Sequence, residues 1–181
     1  SESLPIQKSI KYTNSSSGGN IMKKNIALAT TFAAALFSSS VYAGSGEAES
    51  VSTGQLNRIE IKVGSDTYSV VHFKLTMVIN KSTVAPLKAG DVYALSCVGV
   101  SNTIGQDSIG EGNCVGKDSA GDSFATTFKR KGVVGQPGAG TQTVRGISGK
   151  FVGLEGNCTY DVKYAQNDGI YLASFAKCSY K

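Results

Sequence analysis

Apolar and polar residues alternate along most of the chain, most cleanly in "TYSVVHFKLTMVIN" (67–80). Val71, Phe73, Leu75, Met77 and Ile79 share one side, and Tyr68, Val70, His72, Lys74, Thr76 and Val78 share the other. A period of two over this length predicts a strand with one buried face. "QLNRIEIKV" (55–63) alternates as well, setting Ile59, Ile61 and Val63 against Arg58, Glu60 and Lys62, and "GSD" separates the two as a turn. Further strand-like runs are "VYALSCVGV", "GEGNCVGK", "SFATTFKRK", "TQTVRGI", "GNCTYDVKY" and "YLASFAKCSYK". Turn-forming stretches such as "DSAGD", "GVVGQPGAG" and "AQNDG" punctuate them. No comparable helical period runs beyond a turn or two after residue 43. The pattern predicts an all-β, antiparallel fold, a small β-barrel of about eight strands.

Four glycines interrupt the strand-like segment "VRGISGKFVGLEGNCTYDVKY" (144–164): Gly146, Gly149, Gly153 and Gly156. Glycine inside a strand contributes no packing and marks a bulge, a corner or a close backbone approach. A small barrel must bend its strands to close. The four positions are therefore expected to be structural glycines that turn one long segment around the wall and send Phe151 and Leu154 inward.

The N-terminal part of the chain changes what counts as the folded protein. "MKKNIALATTFAAALFSSSVYA" (22–43) carries Lys23 and Lys24, an apolar stretch too short to span a bilayer, and Val41-Tyr42-Ala43 at its end. These are the parts of a secretory signal peptide, with cleavage expected after Ala43. Residues 1–21 then read as an upstream extension ahead of the true start. Residues 44–54 read as a flexible leader, and 55–181 as the barrel domain. An exported protein, periplasmic or secreted, is the expectation.

The charge balance follows suit. The full chain has 18 Lys+Arg, 13 Asp+Glu and a net charge of +5. Lys8, Lys11, Lys23, Lys24 and Glu2 fall before residue 44, which leaves 14 basic and 12 acidic residues and a net of +2. Such a weak, scattered charge gives no reason to expect nucleic acid as a partner. "FKRKG" (128–132) is the one basic cluster and reads as a solvated strand end. No later apolar segment is long enough to insert stably in a membrane as a helix, so a soluble mature chain is expected.

All four cysteines, Cys97, Cys114, Cys158 and Cys178, lie in the exported part, where an even number predicts disulfides. Hairpin geometry favours one of the three pairings. A turn centred on Asp168 sets Cys158 opposite Cys178, Tyr160 opposite Ala176, Val162 opposite Ser174 and Tyr164 opposite Leu172. The loop "SNTIGQDS" likewise brings Cys97 towards Cys114. Directly opposed residues approach within about 5 Å, close enough to bridge.

"GISGKFVGLEG" (146–156) resembles the G-G-T-G-K-F/Y-x-G-x-x-G stretch of allene oxide cyclase-like and dirigent-like β-barrels, which small exported bacterial proteins also carry. Gly146, Gly149, Lys150, Phe151, Gly153 and Gly156 match, and Ile147 and Ser148 depart from the usual Gly-Thr. "GNCVGKDSAGDSFATTFKRKG" (112–132) extends the likeness through its Cys and its D-x-x-G-D turn. The resemblance implies a barrel fold and, as one functional alternative, an isomerase or cyclase acting on a lipid-like substrate. Its matching positions are architectural, so it implies no catalytic residue.

Candidate chemistry is sparse. His72, the lone histidine, has no nucleophile or orienting group beside it in the pattern. Asp107, Glu111, Asp118 and Asp122 do not have calcium-loop spacing, and D-x-x-G-D suits a hairpin turn. "GQPGAG" lacks the Lys-Ser/Thr of a phosphate loop. No metal and no cofactor is implied. Without Trp, Tyr68, Tyr160, Tyr164 and Tyr171 are the available stacking groups. The barrel mouth is the expected site for a small apolar ligand, if side chains do not fill the interior. A non-enzymatic binding protein is the leading expectation. A surface protein pairing a strand edge with a protein partner is the further alternative. The oligomeric state is not legible from the pattern.

Overall fold

The computed structural model describes residues 44–133 and 135–181. The expected signal peptide and upstream extension lie outside these. Eight strands run in chain order: β1 (Gly46–Val63), β2 (Asp66–Ser82), β3 (Val92–Ile104), β4 (Asp107–Lys117), β5 (Ser123–Lys131), β6 (Gly138–Gly146), β7 (Glu155–Gln166) and β8 (Ile170–Tyr180). Each pairs antiparallel with the next, and β1 pairs with β8 to close the barrel. Closure gives every strand a neighbour on both sides.

The long alternating strand behaves as its pattern requires. Val71, Phe73, Met77 and Ile79 of β2 are buried inside the barrel, while Tyr68, Val70 and Lys74 face out. β4 shows the complementary device. Its inward row is Ser108, Gly110, Gly112, Cys114 and Gly116, so nothing larger than Cys projects from that wall. Phe124, Phe128 and Arg130 of β5 lie across the space so created. A Cβ on Gly116 or Gly112 would collide with Phe124 and Phe128 respectively. Phe128 also meets Phe73 edge-on, with ring centroids 6.0 Å apart.

Both expected disulfides form. Cys97–Cys114 joins β3 to β4 and Cys158–Cys178 joins β7 to β8, with Cα atoms 3.9 Å and 4.0 Å apart. The β7–β8 register is the one expected from the Asp168 turn, including Tyr160↔Ala176, Val162↔Ser174 and Tyr164↔Leu172. All four cysteines are buried on the inner wall.

Two expectations are corrected. Most of the leader, residues 44–54, is strand: β1 starts at Gly46 and pairs with β2 on one side and β8 on the other. Its inward positions, Ala48, Ser50, Ser52 and Gly54, are small, so the segment lacks the bulky alternation of a core strand although Ala48 and Ser50 are buried. The glycine-rich segment is not one bent strand either. β6 ends at Gly146, a 3-10 turn covers Gly149–Phe151, and β7 begins at Glu155. Gly149 (φ +59°) and Gly153 (φ +84°) occupy the left-handed region that this connection needs. Phe151 and Leu154 do point inward, at 0% and 1% exposure.

Candidate functional site

The two ends of the barrel differ. At the end where β2 joins β3 and β6 joins β7, Val84, Leu87, Phe151 and Leu154 are buried beneath the connections. Tyr93, Phe124 and Phe151 form an edge-to-face triangle there, with centroids 5.3–5.6 Å apart. Aromatic edges packed on faces fill volume densely. The Tyr93 hydroxyl donates to Asp91 Oδ2 at 2.9 Å, and burial raises its pKa, reinforced by that carboxylate.

The motif pieces "DSAGD" and "GISGKF" dock on each other at this end. Lys150 Nζ lies 2.8 Å from Asp118 Oδ2, and the backbone N–H of Lys150 donates to Asp122 Oδ2 at 3.2 Å. Asp118 Oδ1 accepts from the N–H groups of Ala120 and Asp122, closing its own turn. The hydrogen bond from Lys150 holds the Asp118 carboxyl below its ordinary range. These aspartates thus clamp two connections together. Asp107 and Glu111 sit elsewhere, on the outward face of β4.

Towards the other end, the interior keeps a cavity of about 90 Å3. Phe73, Leu75, Met77, Leu95 and Leu172 supply apolar wall; Tyr160, Tyr164, Ser52, Ser174 and Arg130 bring polar groups to it. Arg130 is the unexpected member. Within "FKRKG" only Lys129 and Lys131 are solvated; Arg130 shares the inward face of β5 with Phe124 and Thr126 and is 7% exposed. This corrects the reading of the cluster as a solvated strand end. The period-two count from Phe124 would have placed it inside.

The guanidinium is held but not neutralised. Arg130 Nη1 donates to the Tyr164 hydroxyl at 2.9 Å, and Nη2 donates to the Gln136 carbonyl at 3.0 Å. Nε is buried with no hydrogen-bond partner among the described residues. Among the described residues no carboxylate lies within ion-pair distance of it. Gly132 and Gly138 lie close to the group: a Cβ on Gly132 would come 3.2 Å from Nη2 and one on Gly138 2.7 Å. Buried cations normally have an anionic partner because an uncompensated charge in a low-dielectric interior is costly. Burial pushes the Tyr160 phenol up to about 12, and it raises Tyr164 as well, with Arg130 opposing both shifts.

The remaining sequence candidates do not assemble. His72 faces outward on β2, paired across the strand with Val98 and Asn57. Tyr160 and Tyr164 point into the cavity, whereas Tyr68 and Tyr171 are exposed at 39% and 40% on the outside. A larger concavity of about 560 Å3 lies on the outer face of β5–β8, among Thr127, Thr141, Thr159 and Lys177. Its rim carries Glu47, Glu49, Lys129 and Lys177, and among the described residues no buried unpaired charge faces it.

Fold and site together define a closed, eight-stranded antiparallel barrel, stapled by two disulfides and holding an apolar cavity with a buried guanidinium. No protein-family model matches the chain, and no curated protein matches it either.

Proposed function

We propose that this is an exported binding protein, periplasmic or secreted, which takes a small amphiphile into the barrel with its anionic end on Arg130. The observation that carries the reading is the guanidinium itself: 7% exposed, without a carboxylate among the described residues, and bordering an apolar cavity. A bound carboxylate would pair the charge and offer an acceptor to the orphaned Nε. The apolar tail would lie along Leu75, Met77 and Leu172, of which Met77 is the flexible side chain that can reshape around a guest. A cavity of about 90 Å3 favours a short chain over a long one. Export is supported by two disulfides, which persist in oxidising compartments, and by the signal-peptide pattern at 22–43.

Calorimetric titration with hexanoate, octanoate and decanoate, and with the matching alcohols, tests this. Carboxylates should bind at least about tenfold more tightly than alcohols of equal length, the contribution of one charge-assisted hydrogen bond. Arg130→Met should abolish that preference while the protein stays folded. Equal binding of acids and alcohols, or no binding of either series, sinks the proposal.

A further inference from the structure

Ser52 and Ser174 are the two serines that border the cavity, and both are half-buried. They stand directly opposite each other across the β1–β8 seam, which sets their Cβ atoms about 5 Å apart and turns both side chains towards the same part of the interior. On β8 the inward neighbours of Ser174 are Leu172 and Ala176, and on β7 it faces Val162. Matched hydroxyls look different in this barrel: Thr103 and Ser108 lie 2.6 Å apart, and Ser123 and Ser148 2.8 Å. Among the described residues the hydroxyls of Ser52 and Ser174 have no hydrogen-bond partner.

Water can serve such groups in an unfilled cavity, but a guest that takes the space excludes it. A purely apolar tail would then leave the hydroxyls buried and unmatched, which costs more than a made hydrogen bond contributes. Turning the two serines towards each other would not suffice, because one O–H would still lack an acceptor. Thr126 and Gln142 border the cavity too, from β5 and β6, but they are not cross-strand partners: Thr126 pairs with Val144 and Gln142 with Phe128. Val162, opposite Ser174, sits between Tyr160 and Tyr164 on the inward face of β7, so Ser174 is a diagonal step of about 7–8 Å from the Tyr164 position. Tyr164 in turn accepts from Arg130. The serines and the guanidinium thus share one cavity of about 90 Å3, and a guest seated on Arg130 brings its chain to the serines.

We propose that Ser52 and Ser174 select the ligand's tail: the guest is a short acid that carries one oxygen, a hydroxyl or a carbonyl, several carbons from its charged end. A carbonyl oxygen accepts from both serines, and a hydroxyl accepts from one and donates to the other. The inference rests on the reading of Arg130 as the seat of the anion.

Calorimetric titration with octanoate and with its derivatives bearing a hydroxyl or oxo group at the third, fifth or seventh carbon tests this, with octanol and the matching diols in parallel. At least one oxygenated acid should bind at least about tenfold more tightly than octanoate. Ser52→Ala combined with Ser174→Ala takes away two oxygens and adds no bulk, so circular dichroism should show the barrel intact. In that variant the advantage should vanish, while octanoate binds as well as before or better. The two readings fail separately. Acids that outbind alcohols, with no oxygenated acid ahead of octanoate, overturn the serine assignment and leave Arg130 its role. Diols that outbind octanol and lose that lead in the double variant, with acids no better than alcohols, refute the role of Arg130 and keep the serine site. An advantage that survives the double variant overturns the assignment, as does binding of no compound in the set.

Discussion

Replacing Gly112 by Ala isolates the rule by which the barrel fits large residues inside. Two effects of opposite sign compete. In a strand, Ala reduces the conformational freedom lost on folding and is favoured over Gly by about 0.5–1 kcal/mol. Against this, a Cβ at Gly112 would stand 2.6 Å from Phe128 Cζ and 2.7 Å from Gly99 Cα, with the Val98 carbonyl in the way as well. Two of these obstacles are backbone, so the strand pair must separate or Phe128 must leave its edge contact with Phe73. Overpacking of this kind costs about 1–3 kcal/mol, and the clash wins. Gly110→Ala is the internal control. It lies on the same strand and face, but its added Cβ would meet Arg130 Cγ at 3.4 Å, an ordinary contact. The same gain then applies without the clash, and stability should hold or rise slightly. The common gain cancels, so urea denaturation of the two variants should differ by the clash alone, about 1–3 kcal/mol in favour of Gly110→Ala. A Gly112→Ala protein as stable as the Gly110→Ala one would refute the account of a wall kept bare for its neighbours' rings.

Removing the Cys97–Cys114 bridge by a double Ala substitution should cost about 3 kcal/mol, the chain-entropy value for a separation of 17 residues, read from urea midpoints with the other bridge intact. Tyr160 and Tyr180 are both pushed up to about 12 by burial, against about 10 in the unfolded chain. The fold favours the neutral phenols, so their stabilisation is complete below pH about 10 and drains away as pH rises to about 12. The last part of the phenolate absorbance, that of the buried tyrosines, should therefore appear together with loss of the sheet's circular dichroism, and complete titration of all the tyrosines in an intact barrel would contradict this. Gly149→Ala should destabilise by about 1–3 kcal/mol, because φ is +59° and the new Cβ would strike the Asp122 carboxylate. Hydrogen exchange should show faster opening there than in Gly153→Ala, where the space is empty.

The architecture was legible wherever bulky and polar side chains alternate, as in β2, and wherever a strong turn set the register, as at Asp168. The first half of β1 was not, because a strand whose inward residues are Ala48, Ser50, Ser52 and Gly54 reads like a polar linker; its partners on both sides, not its own hydrophobicity, hold it. The glycines of 146–156 signalled sharp chain reversal correctly but not its form, since Gly at positive φ serves a loop as readily as a corner. Ile59, Ile61 and Val63 carry the right alternation with the apolar side outward, and one strand cannot reveal which face the barrel encloses. Arg130 was masked by its lysine neighbours, although its parity with Phe124 and Phe128 marks it as inward.

Seven of the eight seams join strands that follow one another in the chain, and only β1 against β8 brings distant residues together, such as Ala48 with Cys178. The sulfur pairs belong to the first kind, each linking the two arms of one hairpin at separations of 17 and 20 residues. Correct oxidation thus needs no finished ring: a half-made meander already sets each thiol beside its mate, and every mispairing requires a longer excursion of the chain. Ring closure can then come last, on a scaffold whose cross-links are already in place.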